Sequence, residues 1–211
     1  MALIVFLHGV GDTPQSWQDQ VAALPPRATA AAPWLRGTRP GKPETFTVAA
    51  AADDIWPLLN QHGVEQLQAV GSSLGAVVAL ELATRMPDTV SHLVLAAGQV
   101  HPPATAMRVQ RIIGAMIPRR RLARIGIEKH RFLAALDAAA AIDYRRELHK
   151  VTARTLVLVG AQDRANRPAA EQLAAGISGA TLEVVTGAGH TIHTDAPDRF
   201  NDLVFSFLAQ N

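Results

Sequence analysis

Residues 71–75 read GSSLG and contain two adjacent serines, one of which has the neighbours that a reactive hydroxyl needs. They fit the pattern G-x-S-x-G in one register only, which puts Ser73 in the serine position and Ser72 in the variable one. Residues 67–70 predict a strand before this stretch, and residues 74–86 predict a helix after it. At a sharp strand-to-helix turn the central residue is strained, so the residues two before and two after it must be small. The pattern favours Ser73 as a nucleophile, and the alternative is a glycine-rich turn that only packs.

A serine of this kind becomes nucleophilic only beside a base and an acid, and candidates for both follow later strands. One strand-like apolar run leads to Asp163, and another leads to His190. Serine, acid, histidine is also the chain order that accompanies G-x-S-x-G. His193 and Asp195 are the competing base and acid. No acid-bearing strand end is matched to His193, and Asp195 is better explained as a helix cap.

Acyl-transfer chemistry also needs N–H donors for the negative charge that develops on the substrate oxygen. Leu74 follows Ser73 directly, and its amide lies at the start of a predicted helix, where N–H groups lack an acceptor within the helix. The loop at residues 8–11, after the first predicted strand, supplies Val10 as the second expected donor. We expect His8 to hold the shape of this loop rather than to transfer protons.

Strands that alternate with helices would have to position these residues. Several predicted strands are continuous apolar runs, which is typical of a parallel sheet covered by helices on both faces. The predicted strands are residues 2–7, 29–33, 67–70, 93–97, 155–160 and 182–186, and the predicted helices include residues 14–24, 53–61, 74–86, 168–176 and 197–209. The fold class is therefore α/β.

Residues 101–150, called the insertion below, interrupt this alternation because they predict helices only. They contain 11 Lys/Arg and 4 Asp/Glu, a net charge of +7, whereas the rest of the chain contains 9 and 14, a net charge of −5. Two explanations of this asymmetry stay open. The arginine-rich helices have a solvated face, or the positive charge attracts anionic substrates or surfaces.

Several kinds of site are excluded by the composition and the motifs. The 211 residues contain no cysteine, so disulfides, thiolate nucleophiles and cysteine-bound metals are absent. No residues have metal-ligand spacing and no dinucleotide-binding glycine turn follows a strand, so we expect no metal and no cofactor. No apolar run is long enough to span a bilayer, and residues 1–9 are interpreted as a first strand rather than a signal peptide. We expect a cytoplasmic protein that binds no nucleic acid.

Four stretches together resemble the α/β-hydrolase superfamily over nearly the whole chain. FLHGVGDTPQSW resembles the oxyanion loop, VGSSLGA the nucleophile elbow, TLVLVGAQD the strand before the acid, and GAGHTIHTDAPDRFNDLVFSFL the histidine loop and last helix. The resemblance implies that Ser73 is the nucleophile, Asp163 the acid and His190 the base. It also implies a single α/β-hydrolase domain, residues 1–211, in which residues 101–150 form a small helical cap. Members commonly have two strands before the oxyanion-loop strand, at which this sequence begins, so we expect about six mostly parallel strands with the second one at an edge.

The same resemblance implies a cofactor-free, carboxylesterase-like serine hydrolase that cleaves a small carboxylic ester or lactone through an acyl-enzyme intermediate. An anionic substrate would be attracted by the basic insertion. The expected lining of the substrate pocket consists of Trp34, Met107, Ile112, Met116 and Ile192. The triad is also compatible with C–C bond hydrolysis, hydroxynitrile cleavage or perhydrolysis, and some members of the superfamily use the fold mainly to bind a ligand. The sequence leaves the oligomeric state open.

Overall fold

Six parallel strands form one sheet in the computed structural model, which describes residues 2–124 and 127–210. In chain order the strands are β1 (Leu3–Leu7), β2 (Thr29–Ala31), β3 (Leu67–Ser72), β4 (Val90–Ala96), β5 (Arg154–Gly160) and β6 (Thr181–Val185). Their order across the sheet is β2-β1-β3-β4-β5-β6, which leaves β2 at an edge. The predicted six-stranded α/β fold is confirmed. Residues 125 and 126 of the predicted cap and the two terminal residues of the predicted domain lie outside the described residues.

Ten α-helices occur in the described part of the chain. They are α1 (Gln18–Ala22), α2 (Val48–Asp53), α3 (Pro57–His62), α4 (Leu74–Arg85), α5 (Ala104–Met116), α6 (Arg119–Arg124), α7 (Lys129–Ala140), α8 (Arg167–Gly176), α9 (Ile192–Asp195) and α10 (Pro197–Leu208). The single helix predicted at residues 53–61 is instead α2 and α3. Thr47 caps α2, because its Oγ1 accepts from the amide of Ala50 at 3.1 Å, and this favours helix over the alanines that follow. None of the helices in the described ranges is long and apolar enough to cross a membrane.

Side chains of β1 point alternately to two apolar cores, one on each face of the sheet. Leu3, Val5 and Leu7 belong to the core that α2, α4 and α8 cover. Ile4 and Phe6 belong to the core that Trp17 and α10 cover. All five side chains are buried, as a strand inside a parallel sheet requires. The predicted covering of both faces by helices is confirmed, and the carboxyl ends of the strands are left free to carry a site.

The insertion lies between β4 and β5 and contains α5, α6 and α7. Its two ends meet, because the amide of Tyr144 donates to the carbonyl of Val100 at 2.9 Å. Within it, α5 packs on α7 at Gly114, where a Cβ would lie 2.8 Å from Cε1 of Phe132. The chain therefore leaves the sheet and returns to it at nearly the same place.

Candidate active site

Ser73 lies at the carboxyl end of β3, in the turn that leads into α4. Its φ is 52°, a left-handed value that residues other than glycine rarely adopt. Gly71 and Gly75 permit this turn, because a Cβ at Gly71 would overlap the carbonyl of Gly75, and a Cβ at Gly75 would overlap the carbonyl of Leu7. The Ser73 amide also donates to the carbonyl of Ala96 at 2.8 Å. Backbone contacts to two neighbouring strands therefore hold the strained turn in place.

A hydrogen-bonded chain joins the side chains of Ser73, His190 and Asp163. Oγ of Ser73 lies 3.0 Å from Nε2 of His190, and Nδ1 of His190 lies 2.8 Å from Oδ2 of Asp163. With the ring proton on Nδ1, the imidazole donates to the carboxylate and its Nε2 accepts the serine O–H. Asp163 is buried, whereas about half of the His190 side chain is exposed. The structure thus places the three side chains in the arrangement that a nucleophilic serine requires.

The ends of β5 and β6 lie side by side and bring Asp163 next to His190. A Cβ at Gly160 would overlap the carbonyl of Gly189, so a glycine at this position lets the histidine loop approach β5. Oδ2 of Asp195 accepts from the amide of Gly189 at 2.8 Å and braces the same loop. The helix cap predicted for Asp195 is therefore wrong, since its carboxylate makes no cap to α10.

Asn166 binds the carboxylate of Asp163, a contact that the sequence did not single out. Its Nδ2 donates to both carboxylate oxygens, at 2.8 and 2.7 Å. Gln99 donates to Oδ1 of Asn166 and so determines which end of that amide faces the acid. The same Nδ2 lies 3.1 Å from Nδ1 of His190, and because both nitrogens carry hydrogens this is a contact rather than a hydrogen bond. An asparagine three residues after a strand-end aspartate is the one sequence signal that could have indicated it.

Two buried histidines lie near the hydrogen-bonded chain but are not part of it. His8 donates from Nδ1 to the carbonyl of Gly9 at 3.0 Å, and its Nε2 accepts from the amide of Leu35 at 3.3 Å. His193 stacks on Trp17 with ring centroids 4.2 Å apart. Burial lowers the pKa of each imidazole to about 4, so both are neutral near pH 7. Both side chains therefore serve the packing and shape of the loops that carry them.

Val10 and Leu74, the expected oxyanion donors, line the same cavity as Ser73 and His190. Leu74 is the first residue of α4, so its amide has no acceptor within the helix. Val10 lies in a turn that is closed by the amide of Asp12, which donates to the carbonyl of Gly9 at 3.3 Å. Both backbone segments therefore border the space beside the serine.

The carboxylate of Asp12 lies near this space as well. A Cβ at Gly9 would lie 3.2 Å from Oδ2 of Asp12 and 3.4 Å from Cβ of Ser73, so both side chains lie on one side of the loop. Burial raises the pKa of Asp12, while the nearby His190 and the amide of Gly9 act in the opposite direction. A partly buried carboxyl group therefore lies beside the serine.

A cavity of about 220 Å³ lies between Ser73 and the insertion. Its lining is mainly apolar, with amide groups from Gln99, Gln110 and Asn166, and it consists of Val10, Ser73, Leu74, Val77, Ala97, Gln99, Pro102, Met107, Gln110, Phe132, Leu136, Ala139, Ile142, Asn166 and His190. None of these lining residues is a lysine or an arginine. Residues 2–124 and 127–210 also contain no group of three or more histidine, aspartate and glutamate side chains that could hold a metal ion.

Met107 is the one residue of the five predicted for the pocket that lines this cavity. Ile112 and Met116 are exposed on the outer side of α5. The prediction placed the apolar stripe of the helix inward, but Gly114 is the buried residue that packs on α7. The lining from the insertion comes instead from the inner side of α5 and from α7.

Trp34 and Ile192 also lie away from the cavity, so their prediction is wrong too. Trp34 packs edge-on against His8, with ring centroids 5.6 Å apart. Ile192 is fully buried in the core that α10 covers, on one face of the sheet rather than at its carboxyl edge. Sequence proximity to the oxyanion and histidine loops did not bring either side chain to the site.

The sequence of residues 4–203 matches the model of a family described as the Alpha/beta hydrolase family. One relative is the putative carbamate hydrolase RutD of Cronobacter turicensis, which is 26% identical over 98% of this chain and 91% of its own length. A second protein of that name, from Caulobacter sp. strain K31, is 27% identical over 98% of this chain and 90% of its own length.

Solved structures of similar fold include a hydrolase from Pseudomonas aeruginosa PA01, with a TM-score of 0.86 and 24% identity over 99% of this chain and 90% of the other. The enol-lactonase from Burkholderia xenovorans LB400 has a TM-score of 0.83 and 22% identity over 99% of this chain and 92% of the other. At these identities the similarity shows the shared fold.

Proposed function

The chain belongs to the Alpha/beta hydrolase family, and from that premise we propose that it is a serine hydrolase of small, uncharged carboxylic esters or lactones. The observation that carries the proposal is the hydrogen-bonded chain from Asp163 through His190 to Ser73. A serine on a strained turn, a histidine within hydrogen-bond reach and a buried acid behind the histidine are the parts of an acyl-transfer site.

In the proposed reaction Nε2 of His190 takes the proton of Ser73 as the serine oxygen attacks the carbonyl carbon of the substrate. Asp163 keeps the ring proton on Nδ1 and stabilises the imidazolium. When the carbon–oxygen bond to the leaving group breaks, His190 gives its proton to the departing oxygen. His190 then deprotonates a water that attacks the acyl group on Ser73, which releases the carboxylic acid and restores the serine hydroxyl.

The amides of Val10 and Leu74 are the proposed donors to the oxyanion that forms during both attacks. Leu74 is well suited because it opens α4, and the N-terminus of a helix favours negative charge. We further propose that Asn166 is a positioning residue, since its two hydrogen bonds hold the Asp163 carboxylate toward the imidazole.

The size and lining of the cavity support a small, uncharged substrate. About 220 Å³ is below the roughly 300–1,000 Å³ of most small-molecule sites, so we expect a short acyl or alkyl group. The lining holds no lysine or arginine to pair with an anion, and the Asp12 carboxylate lies beside the oxyanion loop. The positive charge of the insertion would attract an anionic substrate in solution, but no cation of the cavity lining would pair with it once bound.

A small carbamate is the second candidate substrate, because the relative of 26% identity that spans almost the whole chain is a putative carbamate hydrolase. A carbamate presents the same carbonyl carbon to Ser73, but its cleavage leaves a carbamoyl group or releases an amine. Rates on an ester and a carbamate of matched shape would rank the two substrate classes.

The test compares Ser73→Ala with Ser72→Ala, which removes the buried neighbouring hydroxyl. We expect purified wild-type protein to hydrolyse short-chain esters faster than long-chain ones and to take up one fluorophosphonate on Ser73. Ser73→Ala should lose labelling and lower kcat by roughly 10³-fold or more, whereas Ser72→Ala should keep both. An adduct on Ser72, or strong turnover by Ser73→Ala, would refute the assignment. Wild-type protein that neither labels nor hydrolyses would indicate a ligand-binding role instead.

A further inference from the structure

Helix α5 carries an apolar stripe that faces away from the rest of the protein. Val109, Ile112, Ile113 and Met116 are 55%, 55%, 59% and 76% exposed, and their spacing puts them on one face of the helix. They are four of the seven large apolar side chains that are exposed in the described residues. Such a concentration on a single helix indicates a surface that is covered by something else.

Exposed arginines accompany this α5 stripe on the same insertion. Arg108 lies on α5 itself, and after a short link α6 adds Arg119, Arg120, Arg121 and Arg124, all of them exposed. Within residues 2–124 and 127–210, no carboxylate lies within ion-pair distance of any of the five. The insertion as a whole has a net charge of +7, opposite in sign to the rest of the chain. The surface therefore combines apolar side chains with unneutralised positive charge.

We propose that the α5 stripe and these arginines dock the protein on an anionic lipid surface. An amphipathic helix that presents apolar side chains and is flanked by Lys/Arg lies in the plane of a membrane interface, with its apolar face among the acyl chains and its cations at the headgroups. Anionic lipid headgroups supply the complementary charge for the arginines. The docking requires no helix that spans the membrane, and it does not depend on the proposed hydrolysis.

A second copy of this chain fits the surface poorly. A two-fold contact through the same face would bring two insertions of +7 against each other. The area is also too small, because a 13-residue helix is only about 20 Å long, and one face of it falls well short of the roughly 800 Å² per partner of a stable interface. A lipid surface has neither difficulty, since it is negatively charged and extends beyond the helix.

Docking would place lipid directly over the cavity. The face of α5 opposite the stripe contributes Met107 and Gln110 to the cavity lining, so one layer of helix separates the bilayer from the space beside Ser73. An uncharged, apolar ester that dissolves in the bilayer would then be concentrated next to the cavity. Docking would therefore place the proposed hydrolysis at the membrane surface.

Co-sedimentation with vesicles tests the proposal. We expect the full chain to bind vesicles of equimolar phosphatidylglycerol and phosphatidylcholine at low salt, to bind pure phosphatidylcholine weakly, and to be released at roughly 0.5 M salt. The double variant Val109→Ser/Ile113→Ser should lower the partition coefficient by at least about tenfold. Changing Arg119, Arg120 and Arg121 together to glutamine should lower it by roughly a hundredfold, about fivefold for each charge.

Matched control variants distinguish binding through this face from nonspecific binding to the vesicles. Val21→Ser/Val184→Ser changes two other exposed valines, and Arg27, Lys42 and Arg199 changed to glutamine remove three exposed cations elsewhere. Both controls should bind like wild type, and Val109→Ser/Ile113→Ser should still hydrolyse a soluble ester at the wild-type rate. Three results would overturn the proposal: equal binding to both vesicles or to neither, unchanged binding by the double variant, or a wild-type dimer in light scattering that the double variant loses.

Discussion

Gly75 in the turn that carries Ser73 and Gly114 in the insertion both touch a neighbouring element, but the two contacts differ in kind. A Cβ at Gly75 would overlap a backbone carbonyl of β1, which is held in the sheet. A Cβ at Gly114 would meet the side chains of Phe132 and Leu136, at 2.8 and 3.1 Å, and side chains can rotate away. The proposed catalytic geometry is therefore fixed by contacts of backbone with backbone. The proposed substrate cavity is bounded by side chains on the insertion side and can adjust there.

Gly75→Ala and Gly114→Ala test this difference most directly. We expect Gly75→Ala to cost more than about 4 kcal/mol of unfolding free energy, or to give no folded protein, because β1 cannot move aside. Gly114→Ala should change the unfolding free energy by less than about 1 kcal/mol, since alanine's higher helix propensity offsets a modest overpacking. Urea titration of both variants checks the pair, and equal losses would contradict the distinction.

We expect low pH to lower the unfolding free energy, because His193 is buried against Trp17 and resists protonation there. His193 lies three residues after the proposed base, His190. Its pKa is about 4 when folded, against an ordinary value of 6.5. The unfolded chain therefore binds the proton first as pH falls, so stability is present above pH 6.5 and is lost between pH 6.5 and about 4, by on the order of 3 kcal/mol. The unfolding free energy of His193→Phe should fall less over this range, as urea titrations at several pH values would show. His62→Gln, at an exposed histidine, is the control, and a parallel fall in all three proteins would refute the role of His193.

Asn166→Leu tests whether the two hydrogen bonds from Asn166 hold the carboxylate of Asp163, the proposed acid, in position. Removing the amide should let the Asp163 carboxylate turn, and such misplacement should lower kcat by roughly 10- to 100-fold with KM little changed. Gln99→Leu should lower kcat less, because it frees only the far end of the Asn166 amide. Steady-state kinetics on a short ester distinguish the outcomes. A raised KM with unchanged kcat would instead make Asn166 a substrate contact.

Met107→Ala and Ile112→Ala, on opposite sides of α5, should give the smallest effects and show which side forms the cavity. Met107→Ala enlarges the cavity and should lower kcat/KM for the preferred ester by roughly tenfold. Ile112→Ala removes only exposed atoms and should leave kcat/KM unchanged for a soluble ester. Similar losses in both variants would mean that α5 turns its stripe toward the substrate.

The sequence predicted the fold and the members of the hydrogen-bonded chain because the signals for both are local. Apolar runs mark the strands, and the glycines beside Ser73 are required by the backbone of the turn itself. Asn166 was missed because a single asparagine has no sequence pattern that marks it. Its role depends on hydrogen bonds to Asp163 and Gln99 that form only in the folded chain. The stripe on α5 was recognised as a stripe, but its direction depends on which neighbour packs against Gly114, and that is a tertiary property.

The hydrogen bond between Val100 and Tyr144 makes the insertion an exchangeable module. The chain departs and returns at adjacent backbone groups, so the segment between them does not have to span a distance for β4 to pair with β5. The entropy cost of closing such a loop grows only with the logarithm of its length, so a change of length alone costs little. A replacement would still have to supply the apolar contacts that Ala135, Leu136 and Ile142 make in the main core. We therefore expect that exchanging the segment between these two residues would alter the proposed substrate range and leave Ser73, Asp163 and His190 in place.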